Sequence, residues 1–125
     1  MKSIVERARE LHPKTVATRR DLHMHPEPSG EEHRTTAHVM ERLERVGLAP
    51  KTLAFAGTGL VCDVGRVDGS SPLVALRADL DALAMDDEKD VPYRSRVDGL
   101  AHACGHDVHT TMVLGAGLVL AELLD

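Results

Sequence analysis

The chain has 125 residues and a net charge of −5, with 42% hydrophobic and 28% charged residues. That balance describes one domain with enough apolar side chains for a core, and it excludes both a disordered chain and a basic footprint for nucleic acid or an anionic membrane. Phe55 and Tyr93 are the only aromatic residues, so the stacking platforms of single-strand binders are missing and the core falls to Leu, Val, Ala and Met.

Ser3-Ile4-Val5-Glu6 has the form of a capping box and predicts a helix through Ile4, Ala8 and Leu11. Pro13 is expected to break or kink it, or to open a second turn-in. Thr15 to His25 again reads as helix and should stop at Pro26, because the residue before a proline avoids the helical region. A turn over 25–30 leads to Ser29-Gly30-Glu31-Glu32, a second capping box. Ala37, Met40, Leu43 and Val46 follow at helical spacing, and Gly47 stands where a left-handed cap is wanted.

The period then shortens. Thr52 to Phe55 is a strand candidate, and Leu60, Cys62 and Val64 form the inward face of another, with Cys62 in the core. Asp68-Gly69 marks a turn. Leu73-Val74-Ala75-Leu76 fits a strand covered on both faces, leading directly into Asp79-Leu80-Asp81. A polar loop over 86–99 follows, in which the run Asp86 to Asp90 should be solvated. Thr110 to Leu124 is apolar almost all round, as in a helix buried within a larger structure. The element order predicts a layered α/β fold with a mixed β-sheet. No apolar stretch approaches the roughly 20 residues of a membrane span. The first residues carry charge where a signal peptide is apolar, and two cysteines are too few for a disulfide framework, so the expected compartment is the cytoplasm.

The densest chemistry lies in His102-Ala103-Cys104-Gly105-His106-Asp107-Val108-His109. In an extended segment His102, Cys104 and His106 would project to one side, with Gly105 letting the backbone bend around an ion. Thiolate and imidazole suit zinc and other late divalent metals. Asp107 is expected to cap the following helix. Two other readings stand beside this one: Cys104 as a small core residue among surface histidines, and Cys104 as a nucleophile. Asp79 and Asp81, two apart beyond a buried strand, point the same way and could polarise a metal-bound histidine or a water; the plain alternative is an acidic turn with Arg77 as ion-pair partner. His23 and His25 do not share a helix face and are expected to be surface or capping groups, and Glu31 and Glu32 are accounted for by capping.

Arg19-Arg20-Asp21-Leu22-His23-Met24-His25-Pro26-Glu27, then Arg77-Ala78-Asp79-Leu80-Asp81-Ala82-Leu83, then the 102–109 cluster occur in this order in one family. The chain resembles the N-acyl-amino-acid amidohydrolases among the co-catalytic metallopeptidases, the group of aminoacylases, hippurate hydrolase and the indoleacetyl-amino-acid hydrolases. Ala84 departs from that pattern, standing where the family usually has proline. The resemblance implies that residues 1–125 are the amino-terminal part of a layered catalytic domain, with the lid domain that mediates dimer formation absent. It makes Cys104 and His106 metal ligands, and Asp81, with Asp79 as the alternative, the aspartate that orients the site. It implies one or two divalent ions, zinc or manganese, and hydrolysis of the amide bond of a small-molecule N-acyl amino acid. In the family the general-base glutamate and the remaining ligands follow the Cys-x-His motif, so the 125-residue chain by itself is expected to be inactive, a catalytically incomplete metal-binding fragment.

Overall fold

In the computed structural model, which describes residues 1–53 and 57–124, three helices pack around one core and a short antiparallel ladder lies beside them. Helix α1 (Ile4–Met24) opens on the expected box: Glu6 N–H donates to Ser3 Oγ (3.2 Å) and Ser3 N–H donates to Glu6 Oε2 (2.7 Å). Pro13 does not interrupt it; the helix runs unbroken over 21 residues. His12, Pro13 and Lys14 are exposed, as is Arg9, whose carbonyl the proline ring deprives of its helical donor, so water can take that donor's place. The helix ends before Pro26 as expected, with His25 already out of helical geometry.

Helix α2 (His33–Glu44) is capped differently from the sequence expectation. Ser29 takes no part. Glu27 reaches across the turn instead, its Oε2 accepting from Arg34 N–H (2.9 Å) and its Oε1 from Thr35 N–H (2.6 Å) and Thr35 Oγ1 (2.7 Å). A carboxylate seven and eight residues upstream thus satisfies the first-turn amides and complements the positive end of the helix. The buried face also rotates: Thr35, Thr36, Val39 and Leu43 face inward, while Ala37 and Val46 are exposed. Gly47 closes the helix at φ +82°.

Strands β1 (Lys51–Thr52) and β2 (Leu60–Val61) pair antiparallel, Lys51 opposite Val61. Of the expected strand over 52–55, Ala54 and Phe55 lie outside the described residues. Leu60, Cys62 and Val64 are half-buried while Val61 and Asp63 are exposed, the expected alternation, but the strand itself ends at Val61. The expected strand at Leu73–Leu76 does not form: Leu73, Val74 and Leu76 are 74%, 82% and 58% exposed. A strand covered on both faces needs neighbouring strands and two covering layers, and among the described residues the run has neither.

Helix α3 (His106–Leu123) starts four residues earlier than expected, so His106 is its first residue and the histidine–cysteine cluster is not one extended segment. Gly105, at φ +90°, makes the sharp entry that the early start requires. Leu114 and Leu118 join Val39 and Leu43 in the core, with Leu11, Leu48, Leu60 and Cys62 packed against them. One face of α3 stays open, with Met112 66% exposed. α1 lies along α3, and the two come close at Gly115, where a Cβ would stand 3.3 Å from Thr15 Cγ2. No helix among the described residues is long and apolar enough to cross a membrane.

Candidate metal centre

His106 projects from the first turn of α3 toward the segment Arg77–Asp81. Its Nδ1 donates to the Asp81 carbonyl oxygen (2.9 Å) and lies 3.0 Å from Asp81 Oδ1. Its Nε2 is 3.8 Å from Asp79 Oδ2. A ring that donates through Nδ1 to a carboxylate and a carbonyl presents Nε2 as the bare, ligating nitrogen. The two aspartates therefore meet one histidine but are not equivalent. Asp81 holds the ring directly; Asp79 gives its other oxygen to Arg77 Nη2 (2.6 Å), and its carbonyl accepts from Thr110 Oγ1 one turn below His106 (2.9 Å). The Arg77 ion pair weighed from sequence is present, alongside the contact with His106.

Cys104 lies on the other side of Gly105 from His106 and is an exposed free thiol. Among the described residues no side-chain base is hydrogen-bonded to it, which gives the nucleophile reading no support. His102 is 3% exposed, and neither ring nitrogen has a partner. Burial holds its pKa below the ordinary imidazole value, against the opposing pull of Asp107. Sulfur and imidazole donors backed by a carboxylate behind the imidazole fit a borderline divalent ion. Among the described residues no three His, Cys, Asp or Glu side chains converge as a metal-holding group. Cys104 and His106 would thus supply only part of a coordination shell.

Asp107 is not a cap. Gly105 occupies the cap position, and Asp107 is buried in the first turn of α3 at 1% exposure. Its Oδ2 accepts from His23 Nδ1 (2.8 Å) and faces the Arg19 guanidinium, with Nε 2.9 Å away. His23, expected at the surface, is fully buried, and its Nε2 donates to Asp87 Oδ2 (2.9 Å). Asp87, expected in a solvated run, is 7% exposed. The Ser95 amide (2.9 Å), the Lys89 amide (3.2 Å) and His23 bring its carboxyl down to about 2, against the opposing effect of burial. Tyr93 stands edge-on to His23 at 5.8 Å, with Arg20 over its ring at 4.7 Å. Sequence reasoning missed this network because its members lie 64 and 84 residues apart and no local pattern links them.

Residues 75–125 match peptidase family M20/M25/M40. Over 109 residues the chain is 54% identical to a Rhodococcus jostii protein named for glutamate–cysteine ligation, covering 87% of this chain and 13% of that one. It is 39% identical over 113 residues to an N-acetylcysteine deacetylase of Bacillus subtilis, covering 90% of this chain and 29% of that one. Among solved structures, the Bacillus subtilis YXEP protein, described as a dinuclear metal binding peptidase of the M20 family, superposes with a TM-score of 0.84 at 38% identity. That superposition covers 93% of this chain and 32% of the solved one. The chain spans less than a third of each of these proteins. Residues 75–125 thus carry the sequence pattern of peptidase family M20/M25/M40, and over nearly its whole length the chain shares the fold of a solved M20 peptidase.

Proposed function

We propose that this chain carries part of the metal site of a hydrolase that cleaves the amide bond of N-acyl amino acids. The observation that carries the reading is the double hold of Asp81 on His106 Nδ1, which leaves Nε2 bare, two residues along the chain from the exposed thiol of Cys104. Cys104 and His106 would hold a divalent ion, and Asp81 would fix the ring's tautomer and direction. Asp79, shared with Arg77, is the second acid near the ring and faces Nε2, the other nitrogen. When bound, the ion supplies activation of water and polarisation of an amide carbonyl. Sulfur ligation favours zinc over manganese. The substrate class is supported by the relative named N-acetylcysteine deacetylase and by the sequence resemblance. Dimer formation, by the full-length protein alone, and a cytoplasmic location belong to the same proposal.

Zinc uptake by equilibrium dialysis tests the ligand assignment. Cys104→Ser and His106→Ala should each abolish it, and Asp81→Asn should weaken it roughly tenfold. Equal uptake by all four proteins would refute the assignment. The general base is not among the residues assigned here, so the isolated chain is expected to release no glycine from hippurate; metal-dependent release would overturn that part of the reading.

A further inference from the structure

The motif Arg19–Glu27 supplies no ligand to the site just described, yet it holds the chain neighbours of both Asp81 and His106. We propose that His23 is a positioning residue for His106: by gripping Asp107 it fixes the first turn of α3 and hence the direction of the adjoining imidazole. The inference rests on the reading of His106 as a ligand.

His23 is fully buried and bonds at both nitrogens, to Asp107 on α3 and to Asp87 in the loop over 86–99. Two carboxylate acceptors on one ring match its doubly protonated form, so each contact is charge-assisted and directional. Asp107 adjoins His106 in the chain, and Arg19 holds the same carboxylate oxygen from one turn earlier on α1. The hold extends through the backbone. The Glu27 carbonyl accepts from Ala82 N–H (2.9 Å), next to Asp81, and the Met24 carbonyl accepts from Arg96 N–H (2.9 Å). One stretch of five residues thus grips the neighbour of Asp81 and the neighbour of His106 together.

Filling space does not explain these residues. Apolar side chains of equal volume pack a core without desolvating charge, and replacing buried ion pairs by them is often neutral or stabilising. What the ion-paired ring adds is a fixed direction, since its hydrogen bonds weaken steeply when they bend.

The test compares His23→Gln and Asp107→Asn with the unaltered chain; Leu118→Ala, a core change remote from the network, serves as a stability control. Side-chain nitrogen NMR of labelled histidine should show His106 protonated at Nδ1 in the unaltered chain and in Leu118→Ala. In both network variants it should drift toward the mixed tautomers of a free ring. Cobalt(II), added alone and followed by its thiolate charge-transfer absorption, should bind the network variants about tenfold more weakly. Asp107→Asn keeps the size of the side chain and serves alone if His23→Gln does not fold. A folded network variant whose His106 resonances match those of the unaltered chain overturns the proposal. Failure of the unaltered chain to bind cobalt would instead sink the ligand reading, and the NMR comparison would still decide whether His23 positions the ring.

Discussion

Replacing Glu27 by alanine removes three hydrogen bonds from the amino end of α2 in one step. Its carboxylate accepts from the Arg34 amide, the Thr35 amide and the Thr35 hydroxyl, and the N-cap residue Glu32 makes no side-chain cap bond in its place. Loss of a capping side chain costs about 1 kcal/mol. Loss of negative charge at a helix amino terminus adds about 0.5–1 kcal/mol. The expected destabilisation for Glu27→Ala is therefore about 2 kcal/mol. Glu27→Gln keeps an acceptor oxygen without the charge and should cost about half of that. Urea unfolding followed by far-ultraviolet circular dichroism measures both, with an unchanged slope showing that the unfolded reference has not moved. If Glu27→Ala lies within 0.3 kcal/mol of the unaltered chain, on the order of the error of such measurements, then the cap is not Glu27. If the glutamine and alanine variants are equally unstable, the charge rather than the acceptor carries the effect.

Two further outcomes follow from the same structure. Hydrogen bonds from the Ser95 and Lys89 amides and from His23 hold the Asp87 carboxyl at about 2, below its ordinary value of 3.8. A depressed folded value contributes stability that is complete above about pH 4 and is lost as pH falls through 2; the shift corresponds to about 2 kcal/mol. Urea midpoints of the unaltered chain and Asp87→Asn between pH 2 and pH 6 should converge toward the acid end, and a constant gap would contradict the origin of the shift. Val74→Ser should change stability by less than about 0.5 kcal/mol, because the side chain is 82% exposed. Leu114→Ala, in the core at 5% exposure, should cost about 2–5 kcal/mol. Comparable losses at the two positions would mean that the 73–76 run is covered in solution.

The parts of the fold legible in the sequence were those set by neighbours within a turn. The Ser3–Glu6 box, the stop before Pro26 and the left-handed Gly47 depend on local backbone chemistry, and each was found where its residues stand. The layered α/β class was likewise legible from the order of the elements, and the resemblance to M20 hydrolases from three motifs in order. Local rules failed where a distant group supplied the decisive partner. Glu27 outcompeted Ser29 as the cap because the turn at Pro26 folds it back over α2. Pro13 stayed helical because α1 is held along α3, outweighing one lost hydrogen bond. The strand at Leu73–Leu76 had the right composition, but a strand is a property of its partners. Asp81 and His106 stand out in the sequence and meet in space; His23 and Asp87 do not stand out, because burial of a histidine between two acids leaves no periodic trace.

Helix α3 carries His106 at one extremity and is 18 residues long, about 27 Å from end to end. A pivot of only about 2° around its far end would sweep the imidazole sideways by about 1 Å, and geometric errors of that size are enough to spoil a chemical step. The absent side chain at Gly115 lets α1 lie tightly against the middle of this lever, with Thr15 as the brake. A bulkier residue there would act at a distance, swinging the tip without touching any group that surrounds it.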